Sequence, residues 1–549
     1  MSASSKKKLR NEQNAAKMTE RQLAEQKEAK KLKIMTVSFT AVLALILVVA
    51  ISFASVQFVS NSGIREKNTV AVTIGDTKLS NAELNYYFVD AAFEFANNYG
   101  GYASMFGLDL YAPLDEQIVN EETGKTWAED FTESAINKAK ATYAICAEAE
   151  ANGFTLSEDQ LSEIELGKLQ LTLNAQQSGY ANVDDMIQAY YGPGASLDSY
   201  MEYTKMNQIA QAYYTHYAQS LTYEDADLRA AEEGKEIEFN NYSYNYYFLN
   251  VNKFLTGGTT DEEGKTTYSD EERAAAVAAA EAVAKELANG AFTSVEEFDA
   301  AIAQLEINAE AETAPKSTAC DDYSYTALTA AAKDWLTDAA RTEGEMGYVE
   351  NATTTTNEDG TETKNINGYY VVMFRGMNDN NYPLVNVRHI LVQPQGGSYN
   401  SSTGQTTYTA DELAVAKIQA EELLKQWRAG DATEESFAAL ATEKTADPGS
   451  KETGGLYEDV YPGQMVTTFN DWCFAEGRLP GDTDIVETDY GYHIMYYVGD
   501  SETLFRDYMI KNTLISTDTE AWYTALIESV VATAENTKFL STDLILASN

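Results

Sequence analysis

A chain of 549 residues is too long for one ordinary hydrophobic core, and at roughly 100 to 200 residues per domain it calls for three or four units. Its 36 tyrosines and normal apolar content exclude a disordered chain, and a formal net charge of -46 excludes nucleic acid as a partner. The three scattered cysteines, Cys146, Cys320 and Cys473, supply neither a disulfide framework nor a paired-thiol metal site and read as reduced, buried residues.

The acidity is uneven. Residues 1–33 form a basic tail with 10 Lys/Arg against 4 Asp/Glu. From Ile34 to Val59 the chain runs 26 residues without a charge, which at about 1.5 Å per helical residue exceeds the roughly 30 Å hydrocarbon core of a bilayer. A transmembrane signal-anchor is therefore expected over 34–59, with the lipid bilayer as its partner. Lys27, Lys30, Lys31 and Lys33 crowd its N-terminal side, whereas only Arg65 and Lys67, offset by Glu66, follow it. The positive-inside rule then leaves the N-terminus cytoplasmic and the bulk of a single-pass cell-membrane protein outside. A cleaved signal peptide is the competing reading, against which stand the long basic region, the long apolar run and the lack of an A-x-A site.

Beyond the anchor, Val70 to Ile74 alternates as a strand, Gly75-Asp76 turns, and Ser80 with Glu83 forms a capping box that opens a helix. Tyr- and Ala-rich helical patterning continues to about Leu228, which predicts a helical module over 60–235.

Two later stretches match each other. Thr266 to Glu272 parallels Thr406 to Glu412, with Ser269/Glu272 and Thr409/Glu412 as capping boxes. The helices they open are expected to stop at Gly290 and Gly430, in the left-handed conformation that glycine tolerates. In the second helix Leu413, Ala416, Ala420, Leu424 and Trp427 define one buried face. Phe298 answers to Phe437; Asp334-Trp335, Arg341, Gly344 and Val349-Glu350 answer to Asp471-Trp472, Arg478, Gly481 and Val486-Glu487 at one constant offset. Each copy closes with an apolar strand, one beginning at Gly368 and the other at Gly491, and Asp359-Gly360 turns a hairpin late in the first. Two α+β units are thus expected, 236–380 and 381–500, followed by a helical segment over 501–549.

The second copy carries a specific succession: Val387-Arg388-His389-Ile390-Leu391-Val392, Phe437, Asp447-Pro448-Gly449-Ser450-Lys451, Gly454-Gly455, Gly463-Gln464-Met465, Phe469 and Gly491-Tyr492-His493-Ile494. In order and residue type it resembles the parvulin-type peptidyl-prolyl cis-trans isomerases. With anchor, helical module and C-terminal helix, the whole chain also resembles the extracytoplasmic foldases and periplasmic parvulin chaperones. The resemblance implies a multidomain α+β protein: a transmembrane helix, a helical chaperone-like module, two parvulin-like domains with the first degenerate, and a C-terminal helix packing back on the module. It implies a four-stranded antiparallel sheet with His389 and His493 on adjacent central strands, hydrogen-bonded to each other beneath a small apolar cleft. Asp447 is then the third catalytic candidate, and Met465, Phe469, Tyr457 and Gln464 are the substrate-binding candidates. The implied partners are unfolded or newly exported proline-containing polypeptides.

Rotation about an amide has to overcome about 18 to 20 kcal/mol of resonance-derived barrier. An apolar pocket that grips the proline ring and desolvates the planar amide favours the twisted state. No bond is made or broken, so no nucleophile, metal or cofactor is expected. Met465 and Phe469, four residues apart, also suit an ordinary helix core, and His216 in a Tyr-rich helix reads as structural. The pattern departs from the family at Leu456-Tyr457-Glu458, which puts a bulkier, more polar residue where a small aliphatic wall is usual. The first copy departs completely: Tyr247 and Tyr370 are expected where His389 and His493 stand in the second, which makes it inactive. The alternative function is a non-catalytic membrane-anchored holdase that binds unfolded exported chains.

Overall fold

The computed structural model describes residues 4–8, 62–260, 266–356, 360–400, 405–542 and 544. The anchor expected over 34–59 lies outside the described residues, as does Asp359 of the expected hairpin turn. Among the described residues no helix is long and apolar enough to cross a membrane. The chain divides into two compact units, one of Met1–Leu221 with Thr517–Asn549, the other of Thr222–Ser516, so the boundary falls within the helix Phe505–Ser529.

The first unit is built on a three-stranded antiparallel sheet in which Val70–Ile74 lies between Ala532–Ala534 and Thr77–Ser80. The strand near the C-terminus pairs with the strand near the N-terminus, Val72 standing opposite Ala534. Ser80 caps the next helix: its N–H donates to Glu83 Oε2 at 2.7 Å while its hydroxyl accepts from Glu83 N–H at 3.3 Å. The helices Asn81–Tyr99, Trp127–Ala151, Glu158–Gln177, Val183–Tyr191 and Leu197–Ser220 follow. Leu84, Phe88, Phe131, Ala135 and Ala139 bury the contact between the first two. Burial of each large side chain stabilises by about 1.5 to 3 kcal/mol. Trp522 and Leu526 of the last helix pack on Ile145, Cys146 and Tyr213. His216 lies with its ring centroid 5.2 Å from that of Phe154.

The second unit contains two four-stranded antiparallel sheets of identical order. In the first, the strands run Thr318–Ser324, Asn241–Asn250, Glu362–Asn378, Met346–Thr356; in the second they run Leu456–Val460, Pro383–Val392, Gly491–Leu504, Thr483–Thr488. The helices Asp270–Ala288 and Val295–Ala303 cover one face of the first sheet, and Ala410–Ala429 and Glu434–Lys444 the equivalent face of the second. Both capping boxes form, and Phe298 and Phe437 are each fully buried at 0% exposure. The repeat extends to single contacts. The Arg341 guanidinium lies over Trp335 and that of Arg478 over Trp472, at 4.5 and 3.9 Å from the ring centroids. Gly344 N–H donates to Phe374 O as Gly481 N–H donates to Tyr497 O, each at 2.8 Å.

The helix ends differ from expectation. Neither Gly290 nor Gly430 is left-handed; Gly430 has φ -94. The last-turn carbonyls are met without a chain reversal, Lys285 and Leu287 by Asn289 N–H and Trp427 by Gly430 N–H. Gly290 serves packing instead, since a Cβ there would sit 2.4 Å from the Phe292 ring.

Candidate functional site

His389 and His493 stand on the two central strands of the second sheet, where His389 is opposite Met495 and His493 opposite Leu391. Two residues out of step across an antiparallel pair, they are diagonal neighbours on one face. They are 2% and 6% exposed, and their Nδ1 atoms are 3.0 Å apart. His389 Nε2 reaches Asp447 Oδ2 at 3.0 Å and Ser450 Oγ at 3.0 Å, while His493 Nε2 reaches Thr488 Oγ1 at 2.8 Å.

The loop bearing Asp447 is fastened to the histidine strand. Thr445 Oγ1 accepts from Leu391 N–H at 3.0 Å and from Asp447 N–H at 3.2 Å, and Ala446 N–H donates to Leu391 O at 2.9 Å. Farther along, Gly455 O accepts from His389 N–H at 2.8 Å. Gly454 and Gly455 have φ +67 and +75, and a Cβ on Gly455 would lie 2.2 Å from His389 O, so both backbone conformation and space demand glycine there.

Asp447 Oδ2 is crowded with donors: His389 Nε2, the Ser450 hydroxyl, the Ser450 N–H at 3.2 Å and the Tyr457 hydroxyl at 2.9 Å. Burial acts to raise the Asp447 carboxyl, but the bonds from Ser450, Tyr457 and His389 outweigh it and hold it at about 2. Burial pulls His493 down to about 3, with His389 adding to the effect, and burial lowers His389 against the opposing pull of Asp447. Near neutral pH the carboxylate is therefore charged and both rings are neutral.

That charge state assigns the protons. A carboxylate only accepts, so His389 donates from Nε2 and must accept at Nδ1. His493 then donates from Nδ1 and accepts at Nε2, from the Thr488 hydroxyl. The result is one directed chain, Thr488 to His493 to His389 to Asp447.

Phe469 is buried and meets both imidazoles edge-on, with centroids 5.5 Å from His389 and 5.4 Å from His493. Half-buried Met465 and Tyr457 pack against the same cluster, which includes Val387, Val460 and Met495. The Tyr457 ring stacks on His389 at 5.1 Å, and burial together with Asp447 pushes its phenol up to about 12. Gln464 is apart from this group: it is exposed, and its Oε1 closes a turn by accepting from Tyr461 N–H at 3.1 Å. Thr445, Ser450 and Thr488 belong to the network although sequence reasoning gave them no role; Ser450 lay inside the quoted Asp447 motif, whereas nothing local marked the two threonines. Among the described residues there is no group of three or more His, Cys, Asp or Glu disposed to hold a metal ion.

The first sheet corrects one expectation. Tyr370 pairs with Phe248 as His493 pairs with Leu391, and Val372 pairs with Tyr246 as Met495 pairs with His389. Tyr370 stands where expected, but the counterpart of His389 is Tyr246, not Tyr247. Successive strand residues face opposite ways, so the slip of one matters: Tyr247 points into the helix-covered core, its hydroxyl bonded to Asn308. Tyr246 and Tyr370 meet edge-on with centroids 5.4 Å apart.

A family model for the PPIC-type peptidyl-prolyl isomerase domain matches residues 369–500. Foldase protein PrsA 4 of Bacillus cereus is 43% identical over 63 residues, 11% of this chain and 21% of that protein. Foldase protein PrsA 1 of Listeria innocua is 31% identical over 120 residues, 22% of this chain and 32% of that protein. A crystal structure of the peptidylprolyl isomerase PrsA from Bacillus anthracis is 22% identical, with 28% of this chain and 59% of that chain covered and a TM-score of 0.18. The chain thus spans about a fifth to a third of the length of these two curated relatives. Within residues 369–500 this chain carries a PPIC-type, or parvulin-type, peptidyl-prolyl isomerase domain, similar to that of the PrsA foldases.

Proposed function

We propose that the chain is an extracytoplasmic peptidyl-prolyl cis-trans isomerase and chaperone that assists the folding of exported proteins. The observation that carries this reading is the hydrogen-bonded succession His493, His389 and Asp447, set against the buried Phe469 ring. Phe469, Met465 and the Tyr457 ring supply apolar grip for a proline ring. Planar amide resonance puts partial negative charge on the carbonyl oxygen, and a carboxylate fixed nearby disfavours that charge relative to the twisted amide. His389 and His493 act as positioning residues that hold Asp447 ionised and the two central strands in register. Clients are unfolded or newly exported proline-containing chains.

The apolar run at 34–59 supports anchoring in the cell membrane with the N-terminus cytoplasmic. Residues 60–235 with the C-terminal segment serve as a chaperone-like domain, 236–380 as a degenerate parvulin-like domain and 381–500 as the catalytic one. Isomerisation of an Xaa-Pro peptide, followed with a conformer-selective protease, tests the activity in the full chain. Acceleration that is lost in Asp447→Ala is expected; a rate equal to the uncatalysed one rejects the reading. Protease added to sealed right-side-out vesicles tests the topology and is expected to digest the chain beyond residue 60.

Non-catalytic holding is a second reading, favoured in the first copy by the Tyr246/Tyr370 pair, which lacks the two-sided bonding of imidazole. Aggregation suppression by the full chain without any acceleration of Xaa-Pro isomerisation is its expected signature.

A further inference from the structure

The first unit contains a cavity of about 790 Å³ between the helices Asn81–Tyr99, Trp127–Ala151 and Leu197–Ser220 and the end of Phe505–Ser529. Its size is that of a ligand site, and its walls are rich in tyrosine, with Tyr87, Tyr203, Tyr214 and Tyr523 among them. Tyr87 and Tyr203 meet edge-on at 4.9 Å. Among these rings lies the carboxylate of Asp90, which accepts from the Tyr203 hydroxyl. Burial raises the Asp90 carboxyl against the Tyr203 bond and the field of Lys138, a cation that lines the same cavity and is itself paired with Glu94. A partly buried carboxylate with a neutral donor as its partner, walled by electron-rich rings, is an environment that a cation improves twice, by ion pairing and by cation–π attraction. Glu520 at the rim adds to the negative field.

We propose that this cavity captures a basic side chain, arginine or lysine, of an extended polypeptide, with Asp90 as the charge partner and the tyrosines stacking on the cationic group and its alkyl stem. The inference rests on the chaperone reading above in one respect: the arginine or lysine is carried by an unfolded client. Charge complementarity selects this occupant, since an anionic or purely apolar side chain would leave Asp90 with only the Tyr203 hydroxyl and the field of Lys138, which Glu94 already shares. Exported chains with basic segments would then be held preferentially.

The test uses the full chain and isothermal titration calorimetry with a short alanine-rich peptide bearing one central arginine, against the same peptide with neutral, nearly isosteric citrulline. The arginine peptide is expected to bind about ten-fold tighter or more, and Asp90→Asn to erase that preference. Lys138→Gln removes the competing cation and is expected to tighten arginine binding several-fold, so the idea does not hang on one variant. Equal affinity for both peptides, no binding of either, or a preference that survives in folded Asp90→Asn would overturn the assignment. Free arginine amide under the same conditions separates side-chain capture alone from capture within a peptide; binding equal to that of the peptide overturns the extended-chain part. A separate aggregation assay with a client lacking arginine and lysine keeps the two readings distinguishable. Suppression there without arginine preference in the titration sinks the pocket alone, whereas no suppression of any client sinks the chaperone reading.

Discussion

Tyr246 stands in the first sheet at the register position that His389 holds in the second. The two sheets share strand order, a cation–π pair and a glycine-anchored turn, so the exchange of imidazole for phenol is a local chemical difference within one architecture. A phenol offers its donor and acceptor at a single atom, whereas imidazole bonds from two sides, so the edge-on Tyr246/Tyr370 pair does not reproduce the two-sided relay of the second sheet.

Activity should therefore reside in one copy. In the full chain, Asp447→Ala and Met465→Ala are each expected to lower kcat/KM for an Xaa-Pro peptide by about five- to 150-fold, equivalent to roughly 1 to 3 kcal/mol. Turnover undiminished in both folded variants would assign catalysis elsewhere, and the first copy would be the place to look.

Tyr457 offers a finer test, because it both stacks on His389 and donates to Asp447 Oδ2. Tyr457→Phe keeps the ring on His389 but removes one of the donors to Asp447 Oδ2. A loss of about two- to ten-fold in turnover is expected, with a raised Asp447 pKa seen by carboxyl-carbon NMR. An unmoved Asp447 titration would mean that the phenol bond is idle.

Acid should loosen this domain before carboxylates protonate. The unfolded chain binds protons at a histidine near 6.5, whereas folded His493 binds them only near 3, so the contribution is fully present above 6.5 and is lost as pH falls toward 3. His389 has the same sign, and Asp447, held at about 2, adds its loss below about 4. Urea melts at pH 7 and 4.5 are expected to differ by about 2 to 3 kcal/mol, and His493→Asn to flatten the slope. Equal melts at both pH values would refute the charge assignment.

Gly455→Ala should damage fold and site together. The left-handed backbone costs a Cβ about 1 to 2 kcal/mol, and the contact with His389 O forces a further shift. Calorimetry is expected to show a lowered melting temperature, with activity falling more than stability because Gly455 O holds His389 N–H.

Removal of residues 517–549 is expected to destabilise residues 62–221, since it strips the strand paired with Val70–Ile74 and the Trp522 contacts. Limited proteolysis of the truncated chain should cut within Trp127–Ala151. Protection equal to that of the intact chain would contradict the shared core.

Much of this was legible in the residues themselves. Capping boxes at Ser269 and Thr409, the alternation around His389 and the match between the copies follow from local backbone periods of two and 3.6, which a sequence displays directly. The histidine pair and Asp447 were found through the motif. Tertiary structure alone decided the rest. Whether Tyr246 or Tyr247 answers to His389 depends on strand register, which a run of tyrosines leaves undetermined because either phase supplies an aromatic to each face. The Thr488 and Tyr457 bonds to the site join segments whose separate patterns say nothing of one another. The ends of the first unit meet as Val72 and Ala534 for the same reason: pairing of distant strands is settled by which surfaces bury each other, a property of the assembled fold that no local window contains.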